Sequence, residues 1–442
     1  MVCPAWAETD ICRTGLTWVK ADSTHAADNS GMSRPVLPPS HSLPDLPIVR
    51  APHRLLFFIG AVNVLLAMAW WAAWLIATRW QVQGPGTPPI PAGWAHALAM
   101  PYLVLAPFMF GFLLTVFPRW SGQAELGRWH YLPVGLGLLG GQTLTLIGLA
   151  GWPHLLHLGA LCVLAGWLSG MTSLFSVLWM ESERTWHAVS AWLGLLIGLI
   201  GWLLYVIWLH LPSQALLPFA AIKLGLIGFA VPVYVTVCHR MVPFFASRVV
   251  PGHVVWRPMG LLAAMWLGIA GHLWLELSHD YAWLWLADAP LALLFGLMLW
   301  RWHPRGPAPG LMRVLTIGFA WLPLSFALYA LQSAWLFATD AFVLGRAPAH
   351  ALAVGFFGSL LVAMVTRVTQ GHSGRPLTMT GPAWFAFIAI QVVAVLRIAA
   401  ELADDTWAWQ AIAAVGWLLA FLPWVLHSAW IYLTPRADGG PG

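Results

Sequence analysis

Long apolar segments follow one another along the chain from residue 54 to residue 433, and short polar loops separate them. Each segment has about twenty residues, which is the length that a helix needs to cross the hydrocarbon core of a bilayer. The segments cover residues 54–78, 96–117, 131–150, 153–179, 186–209, 216–238, 257–277, 282–301, 312–335, 348–368, 380–402 and 407–433. The pattern therefore predicts an all-α, polytopic membrane protein with about twelve transmembrane helices, which we number as spans 1 to 12.

The region before the first span has a different character. Residues 1–50 are polar, end in the proline-rich stretch DNSGMSRPVLPPSHSLPDLP, and lack the apolar run behind a basic start that indicates a signal peptide. We expect a disordered cytoplasmic tail over residues 1–50. The twelve-helix transmembrane domain would then occupy residues 51–435, and a short C-terminal tail residues 436–442.

Basic residues are concentrated in alternate loops, which predicts the orientation of the chain. The loops after odd-numbered spans hold only Arg79 and Arg346. The loops after even-numbered spans hold Arg119, Arg128, Arg184, Arg240, Arg248, Arg257, Arg305 and Arg375. Because cytoplasmic loops carry the excess of Lys and Arg, we expect both termini to be cytoplasmic, in a bacterial inner membrane.

Composition supports the class of membrane proteins and limits the partners that we expect. Hydrophobic residues make up 60% of the chain and charged residues 8%, whereas soluble proteins carry about 25% charge. The formal charge of +5 then mostly reports topology, so we expect contact with membrane lipids and no nucleic acid.

The four cysteines form no CxxC pair and predict neither a disulfide framework nor a zinc site. The 17 His residues, beside 16 Asp plus Glu, remain to be explained.

Seven histidines fall on the predicted outer side, where His210 and His279 are expected to be loop residues. The other five are candidate metal ligands: His96 and His350 at the outer ends of spans 2 and 10, His272 late in span 7, and His154 and His157 at the start of span 4. Neutral imidazole binds haem iron and copper. The first two histidines lie in similar local sequences, AHALAM and PAHALAVG, whose small residues would let a flat macrocycle approach the backbone. For every one of the five, an ordinary interfacial side chain is the alternative.

Charged residues inside the spans are the other costly choices. Arg397 lies in the outer half of span 11, where it could bind a haem propionate, since Arg binds carboxylates bidentately. Lys223 in span 6 and Glu276 at the end of span 7 could mark a path for protons or for a ligand. The alternative is that each of the three pairs with a backbone carbonyl or reaches to the interface.

Four stretches of this sequence match motifs of a known family: HALAVGFFGSLLVAMVTRVTQGHSGRPL (350–377), GFLLTVFPRWSGQ (111–123), HRMVPFFASR (239–248) and FAWLPLS (319–325). Together they resemble the NnrS family of bacterial membrane proteins. The resemblance implies twelve spans, bound haem and copper, and a role in nitric oxide metabolism or in protection from nitrosative stress. Nitric oxide or a related small nitrogen species would then be the ligand.

The chain also departs from the family pattern. Many members carry HAHEM where residues 96–100 read HALAM, so Leu98 and Ala99 replace a histidine and a glutamate, and Thr316 stands where a histidine is common. These differences imply fewer ligands for a second metal, copper above all. A looser architectural likeness links His96 and His350 to the haem ligands in spans 2 and 10 of the haem-copper oxidase catalytic subunit, whose copper ligands have no counterpart here.

Two classes of function follow. The first is a haem protein, with iron held by His96 and His350, that binds nitric oxide or acts on it as an oxidoreductase supplied with electrons by a quinol or a soluble donor. The second is a transporter or metal exporter that uses the outer histidines as transient ligands. A sensor or an assembly factor is a third interpretation, although the sequence offers no output domain.

Overall fold

The computed structural model describes residues 46–181, 183–212 and 214–440. Within these ranges the prediction of twelve membrane-length helices is confirmed, and the chain is a multi-pass membrane protein. The helices are Pro52–Trp80, Ala92–Trp120, Arg128–Leu149, Pro153–Trp179, Trp186–His210, Leu216–Val249, Gly260–Leu277, Tyr281–Trp302, Gly310–Thr339, Ala347–His372, Gly381–Ala399 and Thr406–Leu433. The predicted N-terminal tail lies outside the described residues up to position 45, and Pro47–Val49 form a 3-10 turn before span 1.

Several helices extend beyond the apolar segments that predict them. Span 2 begins at Ala92 rather than at residue 96, and span 10 ends at His372 rather than at residue 368. The predicted boundaries follow apolar composition, whereas the helices continue into the polar interface. His96 therefore lies one turn inside its helix, and His372 belongs to span 10 rather than to the loop behind it.

Spans 2, 6 and 10 form the centre of the bundle. Their most apolar windows are 83%, 61% and 72% buried, against at most 56% for any other span. The Tyr102 hydroxyl of span 2 donates a hydrogen bond to the Ala221 carbonyl of span 6 at 2.8 Å. Tyr234 of span 6 packs on Phe357 of span 10 with 4.8 Å between the ring centroids. The most enclosed helices thus recur at every fourth position along the chain.

Each central span contains one stretch of π-helix. The stretches are Met100–Leu105, Leu224–Ala230 and Ala351–Gly358. In span 2, Pro101 has no N–H to give to the regular α-helical pattern, which favours a wider turn. The Asn63 side-chain amide of span 1 donates to the Leu103 carbonyl inside this wider turn at 2.6 Å. Each stretch begins within one turn after a polar residue of its span: His96, Lys223 or His350.

Small residues bring spans 3 and 4 into close contact, as the spacing of Gly137 and Gly141 predicts. A Cβ atom at Gly137 would lie 2.6 Å from the Cα of Gly166. A Cβ atom at Gly141 would lie 2.9 Å from the carbonyl oxygen of Gly159.

The two ends of the bundle are named after the predicted orientation. The end that carries His96 and His350 is called the outer end, and the end that carries His372 is called the inner end.

Candidate functional site

The sequence places His96 and His350 at similar depth, and in the structure a neighbouring group orients the ring of each. His96 is half-buried, and its ring lies parallel to that of Trp71 in span 1, with centroids 4.6 Å apart and 9° between the planes. Trp71 in turn stacks on Trp74, one turn along span 1, at 5.2 Å and 7°. The stack fixes the plane of the His96 imidazole.

His350 is oriented by its own helix. Its Nδ1 lies 2.9 Å from the Arg346 carbonyl oxygen one turn earlier, so Nδ1 carries the proton and donates it. Nε2 then carries the lone pair, and no contact with a described residue engages it. Metal-binding histidines are commonly oriented by such a hydrogen bond from the other ring nitrogen. A charge on the imidazole of His96 would act on that of His350, so the two side chains lie in one region of the outer end.

Arg397 joins this region from span 11. Its guanidinium acts electrostatically on both His96 and His350. The side chain is buried, with 8% of its surface exposed, and its Nη1 lies 2.6 Å from Glu401 Oε1. The two side chains form a buried ion pair, and because a guanidinium carries five N–H groups, Arg397 can donate to a further acceptor as well. Glu401 also accepts a hydrogen bond from the Arg346 backbone N–H at 3.1 Å, which ties span 11 to the start of span 10.

Sequence reasoning missed Glu401 and Trp71. Glu401 follows Arg397 by four residues, a spacing at which oppositely charged side chains meet on a helix, so this partner could have been found. Trp71 gave no usable signal, because it is one of several tryptophans in span 1 and Trp is common near membrane interfaces.

His272 is fully buried and belongs to a separate polar cluster. Its Nδ1 lies 2.6 Å from Asp288 Oδ1 of span 8, and its Nε2 lies 3.3 Å from Glu276 Oε2. The other oxygen of Glu276 forms an ion pair with Lys223 of span 6. With both ring nitrogens facing carboxylates, His272 has no lone pair directed at an outside metal. Asp288, which the sequence analysis did not single out, completes the cluster.

The remaining outer histidines lie apart from His96 and His350. His154 is exposed in the first turn of span 4. His157 is half-buried and packs edge-on against His210 of span 5, with ring centroids 4.8 Å apart. No described contact joins either residue to His96 or His350. The structure thus brings together three of the six predicted site residues: His96, His350 and Arg397.

The comparison with protein families now decides the affiliation of the chain. The family model described as NnrS protein matches residues 47–436, which covers all twelve spans. The chain belongs to the NnrS family. A comparison with curated proteins found no match. The family affiliation confirms the resemblance drawn from the four sequence motifs, two of which contain the polar ends of spans 6 and 10.

The two cofactors that the NnrS resemblance implies make different demands on the protein. A protein-bound copper ion needs several side-chain ligands around one point. Among the described residues of this NnrS-family protein, no group of three or more His, Cys, Asp or Glu side chains is arranged to hold a metal ion. The copper prediction therefore finds no fitting donor set there. Haem brings its own equatorial ligands and needs only one or two axial side chains, which His96 and His350 offer.

Proposed function

We propose that this NnrS-family protein binds haem at the outer end of spans 2 and 10, where His96 and His350 would hold the iron. The convergence of these two histidines and Arg397 from three different spans carries the proposal. The free Nε2 of His350 would supply the electron pair to the iron. An N–H group of Arg397 beyond those that face Glu401 would bind a propionate, because Arg pairs with carboxylates through charge-assisted hydrogen bonds.

We further propose that nitric oxide, or a related small nitrogen species, binds this haem and takes the place of one of the two histidines, since iron held by both would have no open position. The family resemblance is the argument for this ligand, and a small apolar gas can reach a site near the helix ends through the bilayer. The residues of the chain would hold the cofactor, orient it and shield it from water. Turnover would require electrons, for which a membrane quinol or a soluble carrier is the donor class we propose. The membrane would be the bacterial cytoplasmic membrane, with both termini in the cytoplasm.

An optical spectrum of the detergent-purified protein tests the proposal. The protein would be produced with ample haem supply and measured oxidised, dithionite-reduced, and reduced with nitric oxide. We expect a haem spectrum that shifts on addition of nitric oxide. His96→Gly and His350→Gly should each change the axial-ligand spectrum or lose the haem, and added imidazole should restore the original spectrum in a folded variant. His154→Gly, on the same side of the bundle, serves as the matched control.

Two results would refute the assignment. Wild-type protein that elutes as a single folded species without haem would remove the basis for a fixed cofactor. Haem content and spectrum unchanged in both the His96 and the His350 variants would show that the haem is held elsewhere in the molecule.

A further inference from the structure

A small apolar cavity lies among the central helices, between spans 1, 2, 6 and 10. Its volume is about 50 Å³. All four spans contribute to its wall, through Phe57, Phe108, Val233 and Leu361 among others, and no charged side chain occurs among the described residues that line it. Protein interiors leave few voids larger than a water molecule, so a cavity of this size at the centre of the bundle calls for an occupant.

The volume of the cavity limits what can occupy it. One water molecule takes up about 30 Å³ in the liquid, and an apolar cavity of about 150 Å³ accepts benzene or xenon. At about 50 Å³, the cavity is far too small for a haem or a lipid headgroup and is large enough for a molecule of a few atoms. Water is disfavoured there, because a buried water needs about two to four polar partners and an apolar wall does not supply them.

The cavity opens between spans 6 and 10. Four of its lining residues are half-buried rather than buried, and all four belong to these two spans: Tyr234, Val237, Met364 and Val368. They form the rim of the cavity. Because the rim is largely apolar, it favours the entry of a molecule that dissolves in hydrocarbon over the entry of an ion.

The cavity is separate from the outer histidines. In span 10 its lining begins at Leu360, ten residues after His350, which corresponds to roughly 15 Å along the helix. The π-helical stretch Ala351–Gly358 lies between these two residues, and its Phe357 ring packs on Tyr234 of the rim with 4.8 Å between the centroids. A molecule in the cavity would therefore be held nearer to the inner end than the proposed haem.

We propose that this cavity is a docking site for a small uncharged gas molecule, which enters from the bilayer between spans 6 and 10. Dispersion contacts with the surrounding side chains would hold it, since a molecule enclosed by a close wall gathers many contacts that are weak individually. The inference deepens the proposed function and rests on it for the identity of the gas, which would be nitric oxide. The size and the apolar wall of the cavity are the evidence for the class of ligand.

Xenon is the probe for this site, because it binds in small apolar cavities and its anomalous scattering locates it in a crystal. Crystals of the detergent-purified protein would be pressurised with xenon. Val365, which is buried in the cavity wall with 4% of its surface exposed, is the position to change. We expect a xenon peak in the cavity of the wild type, a weaker peak in Val365→Met and none in Val365→Phe. The methionine variant covers the case in which the phenylalanine variant does not fold, because Met adapts to irregular gaps.

Val395→Phe is the matched control. Val395 lies in span 11, does not line the cavity and has 58% of its surface exposed. The same change at this position should leave the xenon peak unaltered.

Three results would overturn the docking site. A wild-type cavity without xenon would show that the space is a closed packing void. Density for a lipid or detergent chain in it would make it a groove for an acyl chain. A xenon peak of equal height in Val365→Phe would place the gas elsewhere.

The outcomes for the cavity and for the haem are independent, because xenon binding requires no haem. Failure of the docking site would leave the outer haem standing. A haem-free protein that binds xenon in the cavity would refute the outer haem and keep the docking site, with another gas as its occupant.

Discussion

The pair of His272 and Asp288 gives the sharpest stability prediction, because both side chains are completely buried. Their Nδ1 and Oδ1 atoms are 2.6 Å apart, and the second oxygen of Asp288 has no hydrogen-bond partner. A hydrogen bond that involves a charge contributes about 1.5–3 kcal/mol, and a buried charge that loses its partner costs about 3–5 kcal/mol. The structure predicts which of the two single variants is worse.

Asp288→Leu leaves His272 with Glu276 as its remaining acceptor at 3.3 Å, so we expect a loss near the lower limit, about 3 kcal/mol. His272→Leu leaves Asp288 with no described partner at all, so we expect a loss near the upper limit, about 5 kcal/mol. The double variant removes both polar groups at once. It should cost less than either single variant, because an apolar replacement of a buried ion pair is often close to neutral.

The assay is equilibrium unfolding of the detergent-solubilised protein, followed by helical circular dichroism, with the four proteins treated as a double-mutant cycle. Asp280→Asn is the control: Asp280 is exposed, accepts from Ser278 at 2.7 Å, and should change stability by less than about 0.5 kcal/mol. Additive losses in the double variant would refute the reasoning, since they would show that the two side chains contribute independently.

Three further predictions follow from single contacts. Trp71→Leu removes the ring stacked on the outer histidine, and we expect weaker haem retention during dialysis against apomyoglobin; an unchanged release rate would contradict the role of the stack. Gly355→Ala places a Cβ 2.4 Å from the Trp321 ring and should destabilise the fold by about 1–3 kcal/mol. The control Gly296→Ala meets no atom within 4 Å and should be neutral or stabilising. Equal thermal midpoints for the two variants would exclude the clash. Hydrogen bonds from Arg79 hold the pKa of the Asp405 carboxyl below its ordinary value, so their contribution is present above the ordinary Asp range and is lost in acid. The thermal midpoint of Arg79→Gln should therefore lie below that of wild type at neutral pH, and the two midpoints should converge in acid.

The number of spans and the similar depth of His96 and His350 were predictable, because both follow from positions along the chain alone. Span length is fixed by bilayer thickness, and the depth of a residue follows from its position along a span. The partners of His272 were not predictable in the same way. Asp288 approaches it only because spans 7 and 8 are rotated so that both polar faces meet, and an isolated Asp in an apolar segment does not reveal that rotation. The contact between His53 and His372, whose ring centroids are 4.4 Å apart, was missed for the same reason, since the two residues belong to helices that are distant in sequence.

The π-helical stretches also had no clear sequence signal, although all three lie in the outer halves of the central spans. A proline explains the wider turn in span 2, where the ring of Pro101 disfavours the regular hydrogen bond. Spans 6 and 10 contain their stretches without a proline inside them. In these two spans, close packing of the central helices offers a physical reason for the wider turn. Such a turn changes the direction of the side chains that follow it, and this changes how the helices fit together. Such turns are frequent at functional sites, and here each follows the polar residue of its span.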